Sequence, residues 1–358
     1  MTAKVSVIAE AGVNHNGDLS RAMELVEVAA SAGADFVKFQ TFTADALVLP
    51  TAPKAAYQGR TTPQGESQYE MLRKLELSPG DQRRLKNHAD ACGIKFLSTP
   101  FDRGSLTFLV EDLGLDLIKL PSSDITNIPL LVEAGRSGAS LILSTGMSTL
   151  GEVETALKAI CFGFSSGANP KSTAALDDIY SDIDARMRLS GSVVLLHCTS
   201  EYPAAPSDVN LRAMTTLRKA FAVPVGYSDH TEGITVAVAA AALGAEVVEK
   251  HLTLDKQLPG PDHAASSEPD EFSALVHAVR NVEAAFGSPL KLPVTAELAN
   301  RRTMRKGMYA ARDIPLGSPL TEADIAVVRP WTPVGPEKYF DWLGSIALKD
   351  FKAGEPLT

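Results

Sequence analysis

Eight short apolar runs in this 358-residue chain each end in residues that can bind or transfer charge. They close on Glu10; on Lys38 and Gln40; on Ser98 and Thr99; on Lys119, Ser122 and Ser123; on Ser144 and Thr145; on His197 and Thr199; on Ser228, Asp229 and His230; and on Glu249, Lys250 and His251. Polar groups buried singly in a closed core would be costly, so a shared polar cavity is the economical reading. Two lysines among several hydroxyls make an anion site of phosphate size, with the ammonium groups as point charges and Ser/Thr donors around the oxygens. The plainer role for Lys38 or Lys119 is an ion pair with Glu10 or Glu249, and the two roles are compatible. For any one strand-end hydroxyl, the plainer role is capping the next helix.

His230 and His251 end neighbouring runs and can face the same mouth. Two imidazoles with open positions suit a divalent ion that keeps water and accepts substrate oxygens. Ser228-Asp229-His230 is not a nucleophilic triad, because successive strand residues point to opposite faces. Ser228 also lies in Gly226-Tyr227-Ser228-Asp229-His230, which lacks the second glycine of the GxSxG elbow that such a nucleophile uses.

The elements that must hold these residues alternate regularly. VSVIAE precedes the amphipathic DLSRAMELVEVAASAG, KFLSTPF precedes RGSLTFLVEDLG, and the pattern repeats to DEFSALVHAVRNVEAAFG. Near-continuous apolar strands belong to parallel sheets buried on both faces. Gly33, Gly93, Gly114, Gly138 and Gly244 fall where helix C-caps would feed the next strand. Such alternation admits an open doubly wound sheet or a closed barrel. Eight units and no GxGxxG turn after the first strand favour a (β/α)8 barrel, whose strand C-termini form the site.

The barrel is expected over 1–287, with a linker over 288–300 and a small module over 301–358. The module offers three β-like pieces, MYAARDI, DIAVVRP and SIALKDF, between Pro/Gly turns. So little core suggests that it leans on a partner surface. Two polar stretches interrupt the alternation, 43–67 after the second strand and 163–190 before the sixth. The first lies on the catalytic side, where long loops often act as lids.

Composition narrows the function classes. A net charge of −9 and no basic run argue against nucleic acid. Cys92, Cys161 and Cys198 are too few and scattered for a disulfide framework and read as reduced thiols, which fits a cytoplasmic protein. Neither a signal-peptide pattern nor a membrane-length apolar run is seen.

The motifs IAEAGVNHNGD, VKFQTF, FLSTPFD, IKLPSSDITN, LSTGMS, LHCTSEYPA, VGYSDHTEG, EKHLTLDKQLPGPDHAASSEP and RDIPLGSPLTEADI together resemble the sialic acid synthase (N-acetylneuraminate synthase) family over nearly the whole chain. The resemblance implies a barrel followed by a β-clip module similar to type III antifreeze proteins (a SAF domain). It also implies a domain-swapped homodimer in which each small module covers the partner's site. The activity it implies joins phosphoenolpyruvate to an amino-sugar aldehyde, with a divalent metal, usually Mn2+, and with Mg2+ or Co2+ as substitutes.

By resemblance, the metal ligands are His230 and His251, and Lys38, Gln40, Thr99, Lys119, Ser122, Ser144 and Ser228 hold phosphoenolpyruvate. Glu10 stands near the reacting carbons, with Lys38 and Lys119 as the other catalytic groups. Tyr202 and Asp262 meet the sugar. The chain departs from the family at Asp124, usually Glu, and at Arg305-Lys306-Gly307, usually Arg-Arg-Ser, where a basic residue reaches the partner's N-acyl group. Both departures bear on the sugar, which is N-acetylmannosamine or the 2,4-diacetamido-2,4,6-trideoxymannose of legionaminic acid synthases. Two rivals are a Schiff-base barrel aldolase using Lys119 or Lys250 and a non-catalytic carbohydrate-binding protein.

Overall fold

A computed structural model describes residues 4–63 and 65–358. Gln64 of the 43–67 stretch lies outside the described residues. The chain divides into two compact units, Met1–Gly287 and Ser288–Thr358. No helix among the described residues is long and apolar enough to cross a membrane.

The first unit is an eight-stranded parallel barrel. Its strands are β1 Ser6–Gly12, β2 Phe36–Thr41, β3 Lys95–Pro100, β4 Leu117–Leu120, β5 Ser140–Ser144, β6 Val193–His197, β7 Val225–Asp229 and β8 Val247–His251. Hydrogen-bonded ladders run in the order β3-β2-β1-β8-β7-β6-β5-β4. β3 and β4 lie side by side and complete the ring, with no ladder between them among the described residues. Helices cover the outside. Val7, Ala9, Val37, Phe39 and Leu143 point outward into one large core with Leu25, Leu85 and Leu131 of those helices.

Alternate residues of the same strands point inward. Ile8, Leu97, Ile142, Leu196 and Val247 form an apolar plug inside the barrel. Two residues further along come Glu10, Thr99, Ser144, Cys198 and Glu249, which line the cavity above the plug. The two-residue side-chain period of a strand therefore stacks a polar layer on an apolar one. Gly226 occupies the corresponding plug position of β7. A Cβ there would lie 2.4 Å from the Val247 carbonyl oxygen and 2.7 Å from a Leu196 methyl, so the layer closes only around glycine.

Local chemistry sets the helix ends. Ser78 caps Pro79–Cys92, and Thr149 with Glu152 forms a capping box for Leu150–Ser165. The five glycines expected at C-caps all have positive φ, between 68° and 86°.

The interruptions are more ordered than their composition suggests. Residues 163–190 contribute helices Ala174–Tyr180 and Ile183–Ser192. The 43–67 stretch holds single turns at Ala44–Leu47 and Gln58–Thr61.

The second unit pairs β9 Gly307–Ala310 antiparallel with β10 Ile325–Val328. Met308, Ala310, Ile314, Leu320, Ile325, Ala347, Phe351 and Leu357 form its core. SIALKDF is not a strand. It makes only isolated bridges, Ile346 with Pro319 and Phe351 with Ile314. The expected linker 288–300 is likewise not irregular throughout, because helix Thr295–Met304 begins inside it. Glu297 accepts the Val294 backbone N–H at 2.9 Å, which starts that helix.

Candidate functional site

The cavity at the strand C-termini has a volume of about 620 Å3, within the usual range for small-molecule sites. Register makes neighbours of its principal groups. Glu10 lies opposite Lys38 on β2 and opposite His251 on β8. Gln40 lies opposite Thr99, and Ser228 opposite Glu249. Ladder hydrogen bonds therefore fix the acid, the lysines and the imidazoles relative to one another.

At the cavity floor, buried Lys38 sits 3.2 Å from Glu10 and 2.7 Å from Glu249. Lys119 sits 3.6 Å from Glu249, which also accepts the Ser228 hydroxyl at 2.7 Å. The plain ion pairs thus exist, and they centre on Glu249. Burial alone would raise the Glu249 carboxyl, but Lys119 and Lys38 outweigh it and hold the group ionised. Burial raises Glu10 to about 7 against the pull of Lys38. Burial also lowers Lys119 to about 8, with Glu249 opposing. Both shifts move these groups toward neutrality, the range in which buried acids and bases of functional sites often titrate. Gln40 donates a long 3.4 Å hydrogen bond to Glu10. Thr99, Ser122, Ser123, Ser144 and Ser228 complete the floor.

The two imidazoles stand with ring centroids 5.7 Å apart. His230 Nδ1 lies 2.6 Å from the Thr199 carbonyl oxygen. A carbonyl only accepts, so Nδ1 carries the proton and Nε2 presents its lone pair, 3.3 Å from Ser228 Oγ. Burial lowers His230 to about 4 and His251 well below the ordinary value, which keeps both neutral. His251 Nδ1 is buried without a hydrogen-bond partner. Neutral rings, one oriented from behind by a carbonyl, fit the donor chemistry of a divalent ion. Among the described residues, no group of three or more His, Cys, Asp or Glu is arranged for a metal. The two rings would leave most positions of such an ion open.

The opposite wall is aromatic and acidic. Tyr202 stacks on His230 at 4.1 Å and meets His251 edge-on at 5.6 Å. Asp262 is buried beside it, and burial raises its carboxyl to about 6. A clasp positions this aspartate. Asn16 donates to the Pro259 carbonyl at 2.7 Å and takes His263 Nε2 at 3.2 Å, while Thr253 meets His263 Nδ1 at 2.7 Å. A Cβ on Gly260 would sit 2.7 Å from the His263 ring, so the PGPDH turn closes against the VNHNGD loop only with glycine there.

Other strand-end residues turn away from the cavity. Ser98 bonds Thr41 and the Phe39 carbonyl, Thr145 bonds the Leu196 carbonyl, and His197 bonds the Val209 carbonyl. The Thr199 hydroxyl points to the Asp208 carbonyl. Asp229 and Lys250 form a buried ion pair at 2.9 Å behind β7 and β8, which removes Lys250 as a Schiff-base lysine. Ser228 and His230 share one face while Asp229 takes the other, as strand alternation requires. Asp124 does not line the cavity; it accepts from Asn127 at 2.8 Å in the turn after β4. Arg305 and Lys306 are exposed at the start of β9, in the second unit.

Sequence reasoning missed two contributors. Tyr57 and Gln58 line the cavity from the 43–67 stretch, and Val13, Leu47, Met71 and Leu72 add an apolar wall. No strand pattern announces them, since they reach the cavity from loops, single turns and the short helix Gln68–Arg73.

Residues 25–291 match the NeuB family and residues 305–358 match the SAF domain. The chain is 44% identical to the N,N'-diacetyllegionaminic acid synthase of Campylobacter jejuni, covering 98% of each protein. It is also 44% identical to the enzyme of that name from Legionella pneumophila, covering 98% of this chain and 92% of that one. The crystal structure of N-acetylneuraminic acid synthetase from Leptospira borgpetersenii superposes with a TM-score of 0.66 at 31% identity, covering 84% of this chain and 90% of that one. With the barrel, the lysine-lined floor and the small C-terminal unit already in view, these likenesses settle the assignment: the chain belongs to the NeuB family, and it is a sialic-type acid synthase that forms carbon–carbon bonds.

Proposed function

We propose that the cavity condenses phosphoenolpyruvate with the open-chain aldehyde of a 2-acetamido-mannose sugar and water, giving a nonulosonic acid and phosphate. The observation that carries this is one cavity with two poles. Lys38, Lys119 and a ring of hydroxyls stand at one, and Tyr202 and Asp262 stand at the other, with two neutral imidazoles between. A divalent ion on His230 and His251, Mn2+ with Mg2+ or Co2+ as substitutes, would supply a Lewis acid for the aldehyde oxygen.

The chain's own groups account for the rest. Lys38, Lys119, Thr99, Ser122, Ser144 and Ser228 hold the phosphate, with Gln40 beside Glu10. C3 of phosphoenolpyruvate attacks the aldehyde carbon, the carbonyl π pair moves to the aldehyde oxygen, which gains a proton to become the product's hydroxyl, and cationic character develops at C2. The buried Glu10 carboxylate stabilises that charge and takes a proton from the water that adds at C2. The tetrahedral carbon then loses phosphate by C–O cleavage, with both lysines neutralising the leaving group. In labelled water, the isotope should appear at C2 of the product, and label in the phosphate would overturn the scheme. Chelation should stop turnover and Mn2+ should restore it.

N-acetylmannosamine is the simplest sugar for this site. The apolar wall of Val13, Leu47, Met71 and Leu72 favours the second reading, 2,4-diacetamido-2,4,6-trideoxymannose, which replaces hydroxyls with a methyl and an N-acyl group. The similarity to two N,N'-diacetyllegionaminic acid synthases supports the same reading. A product assay comparing the two sugars decides between them.

A cytoplasmic homodimer is part of the same proposal. Three cysteines without a disulfide support the compartment. Leu316, Phe340 and Leu348 are each exposed on the small unit and could be covered by a partner subunit. Arg305 and Lys306 would then reach the partner's sugar.

A further inference from the structure

We infer that Tyr57 is a sugar-positioning residue, delivered to the cavity by a self-tied lid built from residues 52–63 and 65–68; this rests on the proposed reading of the site. Tyr57 stacks on Tyr202 with centroids 4.9 Å apart, and Tyr202 in turn stacks on His230 at 4.1 Å. The loop tyrosine is thus the outer plate of an aromatic stack whose inner plate is a candidate metal ligand. Asp262 and Glu201 act on the same phenol, and burial first, then the Asp262 charge, raises it, so it stays a protonated donor. An aromatic face beside a hydroxyl and a carboxylate suits a carbohydrate, whose C–H faces stack while its hydroxyls bond.

The lid is built to hold this ring. The buried Gln58 side chain accepts the Ala55 N–H at 2.9 Å and the Gln68 amide at 3.3 Å. Lys54 donates to Thr62 Oγ1 at 2.8 Å and to the Pro63 carbonyl at 2.6 Å, and it faces Glu66 at 3.6 Å. The Gln68 N–H reaches the Ala52 carbonyl at 3.1 Å and closes the segment on itself. Ordering so long a stretch is entropically costly, and these ties keep the cost out of the binding step.

The test is steady-state kinetics of Tyr57→Ala, Tyr57→Phe and Lys54→Met, with each substrate varied in turn. Tyr57→Ala should raise the sugar KM by roughly ten- to a hundredfold while leaving the phosphoenolpyruvate KM unchanged. Tyr57→Phe should recover most of the loss, because it keeps the stacking face. Lys54→Met, which frees the lid and spares the ring, should raise the sugar KM by a smaller factor. An unchanged sugar KM in Tyr57→Ala, or equal rises in both KM values, overturns the proposal. Absence of turnover by the unaltered enzyme with either sugar overturns the reading of the site and this proposal with it.

Discussion

The two poles of the cavity are built by different means. The floor comes from strands: Lys38, Thr99, Lys119, Ser144, Ser228 and Glu249 sit at register positions fixed by ladders and by the apolar plug beneath them. The aromatic wall comes from loops, with Tyr57, Tyr202 and Asp262 held by a lid, a stack and a clasp. On the proposed reading, the phosphate is the same in every substrate of this kind whereas sugars differ, so rigidity at one pole and loop-borne residues at the other would divide chemistry from choice.

The largest break in that comparison should come from the floor. Lys119→Met should lower kcat/KM for phosphoenolpyruvate on the order of a thousandfold, because on the proposed reading a cation beside the departing phosphate would be lost. In the unaltered enzyme, the pH profile of kcat/KM should have two limbs. A carboxyl raised to about 7 loses its ionised form as pH falls through that value, so the acid limb belongs to Glu10. An ammonium lowered to about 8 loses its proton as pH rises past it, so the alkaline limb belongs to Lys119. Glu10→Gln should erase the first limb and Lys119→Met the second; limbs that survive these variants would mean that other groups titrate.

A sharper and smaller contrast should come from the loops. Asp262→Asn should raise the sugar KM roughly ten- to a hundredfold and leave the phosphoenolpyruvate KM alone, since a charged hydrogen bond contributes roughly 1.5–3 kcal/mol. His263→Ala, which acts only through the clasp, should have a weaker effect of the same kind. Should either variant change the phosphoenolpyruvate KM as much as the sugar KM, the division between the poles fails.

This division also explains what could be read from the residues alone. The strand-borne groups repeat at a period of two after apolar runs, so Glu10, Lys38, Lys119, His230 and His251 were visible together with the barrel that gathers them. The same pattern over-collected: Ser98, Thr145, His197 and Lys250 end strands too, but face helices or backbone. Burial direction, which apolar runs do not encode, separates the two sets. Tyr57 was invisible because its place depends on Lys54, Gln58 and Gln68 folding a polar stretch back on itself. Asp124 was expected at the sugar by analogy; it stands in the turn after β4, next to Ser123 of the cavity lining, and accepts a hydrogen bond from Asn127. In the small unit, Ile346 and Phe351 carry strand-like residues but find only isolated bridge partners.

Among the described residues, the ring of strands has one joint without a ladder, between β3 and β4. Thr99 ends one lip of that joint and Lys119 stands near the end of the other. A phosphate held by both would therefore act as a cross-brace, closing mechanically the one place where backbone hydrogen bonds do not. On the proposed reading, the first substrate would stiffen the seam of the barrel before the second arrives, and release of phosphate would let that seam breathe again.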